Sequence, residues 1–344
     1  MSEIALYRKY RPKSFKDVVG QEQVTTVLEA SIKKGNISHA YIFAGSRGTG
    51  KTSVARIFAA AIGCTPTDLY EIDAASNRGI DEVRAIREAV HTSPMESPYK
   101  VYVLDEAHMI TPPAWNALLK TLEEPPKYVV FIFATTEIDK IPETVVSRCQ
   151  TFIFKKPTHQ ILKSVVEEIA KGEGYSIDKA SAELVAFLGD GSFRDAQGIL
   201  QKVMSASQDK KITIDEVELI TGSPKGKLLN SVIEAIEKED LNEGLKVLHI
   251  ATGENIDMKL FLRLLIERVR IVMLLRFAKD LEKEISENLT DTDFEFLKEL
   301  SVKKGSKINS KTLDELLRAY EEINFAAVKE LPLELALIRL IAEK

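Results

Sequence analysis

The sequence predicts an α/β protein with an all-α remainder: a parallel sheet wound with helices over residues 1–156, a small helical lid over 157–222 and a helical collar over 223–344. Three observations carry this. Short apolar runs alternate with helical segments through the first part of the chain, the pattern of a parallel sheet covered on both faces. The segment Gly45-Ser46-Arg47-Gly48-Thr49-Gly50-Lys51-Thr52 fits the phosphate-loop pattern and lies between an apolar run and a helical one. From Pro157 onward the strand signal vanishes.

Taken in order, the opening Leu6-Tyr7-Arg8-Lys9-Tyr10-Arg11-Pro12 reads as a basic, aromatic surface segment. It leads through Phe15 and Val18-Val19-Gly20 into a helix from about Gln23 to Lys34, stopped by Gly35. Ala40 to Ala44 is a strand, and the phosphate loop opens a helix from Lys51 to Ile62. A short strand at Leu69 to Ile72 and a polar turn precede a helix from Asp81 to about Val90, whose Asp81 and Glu82 lie where the helix dipole favours anions. Lys100 to Leu104 is a strand ending in Asp105-Glu106, Pro112 to Glu124 a helix with proline at its start, and Tyr128 to Ala134 a buried strand. Helices follow at Thr158–Lys171, Lys179–Leu188, Phe193–Ser205 and Ile214–Ile220, then a helical tract beyond a boundary near Gly222-Ser223-Pro224. Apolar spacing such as Leu333, Leu337 and Leu340 marks that tract as a collar joining subunits.

Composition narrows the class. A net charge of −5 argues against a protein coated in basic surface, though not against a local basic face. Cys64 and Cys149 are the two cysteines, neither in a Cys-x-x-Cys pair, which points to a reducing cytoplasm and to neither a disulfide framework nor a four-cysteine zinc site. No charged-then-apolar signal segment opens the chain. The most apolar helix, Ile256 to Phe277, carries Arg263, Glu267, Arg268 and Arg270, so it reads as a core or interface helix rather than a membrane span.

The chemistry concentrates at the strand ends. Glycines let the loop wrap its N–H groups round phosphate oxygens at a helix N-terminus. Lys51 suits the β- and γ-phosphates, and the Thr52 hydroxyl suits Mg²⁺. Asp105 suits the same ion and Glu106 an attacking water, because ligand sites in open α/β sheets lie at the carboxyl ends of strands. Thr136, after the next strand, could hydrogen-bond that water or the γ-phosphate, or simply cap the strand. Arg148 and Arg194 could each stabilise transferring phosphate or serve a plain salt bridge, and spacing does not choose between these.

Together these segments resemble the gamma/tau subunits of bacterial DNA polymerase III, clamp-loader members of the AAA+ ATPases. The resemblance rests on Tyr7 to Pro12, Val18 to Gln21, Gly45 to Thr52, Glu71 to Ser76, the run Asn116 to Pro126, Ala134 to Thr136, Ser147 to Cys149 and Arg194 to Ala196. It implies ATP and Mg²⁺ as cofactors and ATP hydrolysis within the DNA-directed DNA polymerase assembly. The implied partners are other loader subunits in a ring, taken as a pentamer, with a sliding clamp and primed DNA, and no membrane. Tyr7, Arg11, Pro12 and Val19 then match the adenine and ribose contacts, Gly45 to Ser53 the phosphate and metal cradle, Thr136 the first sensor and Arg194 the second. Arg148 matches a finger acting in trans on the next subunit's ATP. Asn77, Arg78, Val90 and Met95 match a face toward DNA or clamp.

Two departures stand out. The family's four-cysteine zinc module has no room in Gly63 to Asp68, so no zinc is expected, and the extension of the longer tau form is expected to be absent. Rival readings are weaker. Asp105-Glu106-Ala107-His108 mimics a helicase box, but one phosphate loop followed by helices lacks a second motor domain. An ATP-binding scaffold subunit with little hydrolysis is expected to lose the loop or the catalytic acid, and both are intact. A loader of archaeal or eukaryotic type is disfavoured by the wording of Leu118 to Pro126.

Overall fold

The computed structural model describes residues 4–343. The chain divides into two compact units, Met1–Val166 with Ala186–Gly198, and Glu167–Val185 with Ile199–Lys344.

In the first unit, β1 (Ala40–Ala44), β2 (Leu69–Asp73), β3 (Lys100–Asp105), β4 (Val129–Thr135) and β5 (Gln150–Ile153) form a five-stranded sheet in the order β2-β3-β4-β1-β5. Every neighbouring pair is parallel. The helices are α1 (Leu6–Lys9), α2 (Glu22–Lys33), α3 (Lys51–Ala61), α4 (Ile80–Ala89), α5 (Pro112–Glu123) and α6 (Glu143–Val146). Side chains alternate between the sheet's two faces, so one set of strand residues builds each core. Ile42, Tyr102, Leu104, Phe131 and Phe133 pack with Val83 and Ile86 of α4 and with Trp115, Leu118 and Leu122 of α5. Tyr41, Phe43, Val101, Val103, Val130 and Ile132 pack on the other face with Val24 and Leu28 of α2 and Val54, Ile57 and Phe58 of α3. Trp115, the sole tryptophan, is 2% exposed and meets Phe133 edge-on at 5.2 Å between ring centroids. Strands covered on both faces become continuous apolar runs, which is why β1, β3 and β4 match their predicted extents so closely.

Three elements of this unit fell outside those expectations, one of them the single-turn helix α6. α1 is a single turn inside the basic opening segment, with Leu6 buried beneath it. The edge strand β5 is Gln-Thr-Phe-Ile and largely exposed, so it has no apolar run to read.

Beyond β5 the chain continues as α7 (His159–Gly172), α8 (Lys179–Leu188), α9 (Phe193–Ala206) and α10 (Ile214–Thr221). The expectation of no strand after Pro157 needs correction: β6 (Ser176–Ile177) and β7 (Lys211–Ile212) make a small parallel pair. Two residues are too few for a period of two to register. The remaining helices, all in the second unit, are α11 (Gly226–Lys238), α12 (Leu241–Gly253), α13 (Met258–Phe277), α14 (Glu282–Glu287), α15 (Asp291–Val302), α16 (Ser310–Glu322) and α17 (Leu331–Ile341).

α13 is that unit's central helix: Phe261, Leu262, Leu265, Val269 and Val272 are all 0% exposed. Two of its arginines are used within the unit. Arg268 pairs with Asp293 at 2.7 and 2.8 Å and also meets Asn230; burial works against the Asp293 charge, and these partners outweigh it and keep the inward carboxylate ionised. Arg276 donates to the Leu300 and Ser301 carbonyls, satisfying acceptors at the end of α15, and to the Ile308 carbonyl in the connection before α16. Leu333 and Leu337 are 0% exposed in this same core. Their spacing therefore reflects packing within the chain, not the subunit contact expected of them, and a polar residue there would unfold the unit. Apolar residues left exposed in this unit include Leu219, Phe277 and Val302, Phe325 and Val328 before α17, and Leu331 and Leu335 on it. Among the described residues, no helix is long and apolar enough to cross a membrane.

Candidate active site

The phosphate loop leaves β1 where β4 runs beside it, with Ala44 opposite Thr135. β3 lies on the far side of β4 and ends in Asp105, so loop, Asp105, Glu106 and Thr136 all gather at one edge of the sheet. The loop's glycines are there for distinct reasons. At Gly48 φ is +74° and an added Cβ would overlap Ser192 Oγ, while Gly50, at φ +99°, turns the chain into α3. Thr49, 1% exposed, closes the loop with a 2.9 Å hydrogen bond to the Ser46 carbonyl.

Lys51 is 6% exposed and donates to the Gly45 and Ser46 carbonyls at 2.8 and 2.9 Å. Burial lowers its ammonium below lysine's ordinary value, while the Glu106 and Asp105 carboxylates pull the other way. Thr52 Oγ1 donates to Asp105 Oδ2 at 2.8 Å, joining residues 53 positions apart. The second Asp105 oxygen accepts from the Glu106 N–H at 3.0 Å. Glu106 stands at φ +50°, a left-handed conformation that a non-glycine residue adopts at a cost, and its Oε2 is buried without a hydrogen-bond partner. Ser46 Oγ is orphaned in the same way.

A second group closes on the loop from the other side. The Phe193 N–H donates to the Gly48 carbonyl at 3.0 Å, so the start of α9 sits on the loop. Arg194, the next residue, holds its guanidinium 4.9 Å from the Tyr7 ring centroid. Arg11 is pushed below arginine's ordinary value by burial and by the charges of Arg56, Arg8 and Arg194, with Glu71 opposing. Tyr7 and Arg11 thus share one electropositive corner with Arg194, far off in sequence. Val19 is exposed and Pro12 half-buried.

Gln21 is a residue whose importance sequence reasoning left unassigned. It is 0% exposed, donates to the Lys155 carbonyl at 2.8 Å and to that of Thr49 at 3.4 Å, and accepts from the Lys155 N–H at 3.2 Å. It ties the loop to the chain leaving β5. A buried glutamine has that signature, but a partner 134 residues away is not visible in a sequence.

The remaining expected residues separate. Arg148 lies outside this cluster, bonded to Glu123 at 2.7 Å and to the Thr144 carbonyl at 2.6 Å, with its side chain 35% exposed. Asn77 and Arg78 are exposed in the turn before α4, where the Asn77 amide donates to the Asp73 carbonyl at 3.0 Å. Val90 is 0% exposed in the sheet core. That corrects the expectation of a clamp or DNA contact, because an apolar position at the end of an amphipathic helix packs inward. Met95 is 76% exposed on a loop fixed from below. The Asp68 carboxylate accepts from Ser97 Oγ at 2.6 Å and from the N–H groups of Met95, Glu96 and Ser97 at 2.7, 2.9 and 3.0 Å.

Those hydrogen bonds lower Asp68 from 3.8 to about 2. Since the folded value lies below the unfolded one, the loop's contribution to stability is fully present above about pH 4 and is lost as pH falls toward 2. Asp68→Asn is expected to melt below wild type near neutral pH, with the gap closing in acid. A gap that persists unchanged at low pH would remove the carboxylate from the explanation.

Cys64 is buried, which raises its thiol, and burial pushes Cys149 up to about 12. Among the described residues no group of three or more His, Cys, Asp or Glu side chains is arranged to hold a metal ion.

A family model described as DNA polymerase III, delta subunit, matches residues 20–78 and 67–158, and one described as DNA polymerase III subunits gamma and tau domain III matches residues 212–344. The chain is 36% identical to DNA polymerase III subunit tau of Bacillus subtilis, over 99% of this chain and 63% of that one. It is 39% identical to DNA polymerase III subunit gamma/tau of Mycoplasma pneumoniae, over 75% and 41% respectively. The chain thus spans less than two thirds of the length of these relatives. A similar solved structure is the RuvB Holliday junction branch migration motor of Thermotoga maritima, with TM-score 0.53 and 22% identity over 66% of this chain and 79% of that one. At that identity the likeness shows the fold alone.

Proposed function

The chain belongs to the family of DNA polymerase III gamma and tau subunits, and from that premise we propose that it is the ATP-hydrolysing motor of a clamp loader. Such a motor opens a sliding clamp and places it on primed DNA. The observation that carries this reading is the hydrogen bond between Thr52 and Asp105, with Glu106 next in the chain. Two oxygens from separate elements converge there beside a lysine held at the phosphate loop.

The residues fit ATP with Mg²⁺. Lys51 would exchange its two loop carbonyls for β- and γ-phosphate oxygens, which also relieves the burial of its charge. The loop's N–H groups and the α3 N-terminus would receive the remaining phosphate charge. Thr52 and Asp105 would hold Mg²⁺, which supplies charge neutralisation between the phosphates. The orphaned Ser46 Oγ would find a phosphate or water partner, and Glu106 Oε2 the attacking water. Tyr7, Arg11, Pro12 and Val19 would contact the base and ribose, with Thr136 and Arg194 reading the γ-phosphate. No zinc is assigned a role.

Arg148 is assigned to a neighbouring subunit's ATP. The partners are other loader subunits in a ring, taken as a pentamer, together with the clamp and primed DNA in the cytoplasm. Residues 223–344 would be the collar and 157–222 the lid. Phe325, Val328, Leu331 and Leu335, clustered at α17, are among the exposed apolar positions available for the collar contact.

Steady-state ATP hydrolysis should rise strongly when partner loader subunits, a bacterial sliding clamp and primed DNA are added to the chain. Turnover indifferent to clamp and DNA would sink the loader assignment. Binding of ATP with no turnover under any of these conditions would favour a scaffold subunit.

A further inference from the structure

His108 has no role in the reading above, yet its side chain is only 10% exposed and stands among the groups that matter. It lies on the short turn after Glu106. Its Nδ1 is 3.2 Å from Thr135 Oγ1 and 3.6 Å from Glu106 Oε2, while its Nε2 is 3.5 Å from Glu137 Oε1. Thr135, 0% exposed, ends β4 and precedes Thr136, and its hydroxyl oxygen also accepts from the Glu137 N–H at 3.0 Å. Glu137 is paired outward with Lys140 at 2.8 Å. The facing groups are therefore Glu106 from the imidazole's own turn, and Thr135, Glu137 and its partner Lys140 from the segment that leaves β4.

The geometry points to His108 as a positioning residue that couples the direction of the Glu106 carboxylate to the end of β4. This rests on the assignment of Glu106 to the attacking water. Two facts support it. The Glu106 backbone is fixed, since its N–H is bound by Asp105 and its carbonyl accepts the Met109 N–H at 2.9 Å, so only the side chain can turn. The Oε2 of that side chain is buried without a hydrogen bond, and 3.6 Å from Nδ1 is just beyond bonding distance.

A neutral imidazole has two proton arrangements, and they present opposite faces to this oxygen. With the proton on Nδ1, the ring offers Glu106 a donor and draws the carboxylate toward itself. With the proton on Nε2, directed at Glu137, Nδ1 gives its single lone pair to the Thr135 hydroxyl and presents Glu106 with an electron-rich edge and no donor. That repels the carboxylate from the ring and toward the loop. Contacts of Thr135 and Glu137 thereby select where Glu106 points, and the residue between them is Thr136.

The test is single-turnover ATP hydrolysis by the full chain assembled with its loader partners, with nucleotide affinity measured separately by a fluorescent ATP analogue. His108→Ala is expected to slow hydrolysis about tenfold or more while affinity changes less than about twofold, since misdirected catalytic groups cost rate before binding. His108→Asn, which can still donate from a comparable position, should recover most of the rate, and Thr135→Val should reproduce the alanine defect. In a Glu106→Gln background, His108→Ala should add nothing, because it acts through the group already removed. Equal losses in both backgrounds, lost nucleotide affinity or an unchanged rate would each overturn the inference. If Glu106→Gln alone hydrolyses like wild type, the assignment of Glu106 fails and the role of His108 falls with it.

Discussion

Replacing Arg148 with alanine is expected to slow ATP hydrolysis by the assembled ring about a thousandfold or more, the range for a guanidinium supplied across a subunit boundary to a phosphoryl-transfer site. Sheet register supports the assignment in trans. Gln150 pairs with Tyr41, so Arg148, two residues earlier, lies where β1 begins, whereas the phosphate loop starts after Ala44. The four steps from Tyr41 to Gly45 are about 13 Å of strand at roughly 3.3 Å each, on the far side of which the phosphates would sit. An arginine so placed serves another nucleotide more readily than its own. Its ion pair with Glu123 joins half-exposed groups, and such pairs hold by no more than about 1 kcal/mol, so the guanidinium is easily drawn away. The isolated chain should therefore show the same slow hydrolysis with or without Arg148. An equal defect in the isolated chain, or none in the ring, would exclude the trans role.

Glu106→Gln should abolish most hydrolysis in both settings, by about a hundredfold or more, while leaving ATP affinity nearly intact, because the amide keeps the shape and loses the base. The two variants together separate the site into its own and its borrowed parts. Wild-type turnover by Glu106→Gln would return the chain to the class of nucleotide-holding subunits.

Most of this site was legible because its chemistry is local. The loop is eight consecutive residues, and Asp105-Glu106 ends a fully covered strand whose apolar run stands out. What escaped was set by distant contacts. His108 owes its position to Thr135 and Glu137, and Gln21 to Lys155, pairings that no local pattern encodes. β5 escaped because an edge strand can be polar, and Val90, Leu333 and Leu337 misled because spacing reports that a residue packs, without saying on what.

The position of Trp115 gives the molecule an optical label of its own. As the sole tryptophan, its emission follows only the unit that carries the sheet, and its indole N–H has no hydrogen-bond partner in an apolar core, so the folded emission should be blue-shifted. Far-UV ellipticity, by contrast, draws heavily on the helices of the other unit. A melt followed by both signals therefore reads the two units separately. ATP that binds the phosphate loop should delay the fluorescence transition first, turning ligand affinity into a shift seen in one colour of light.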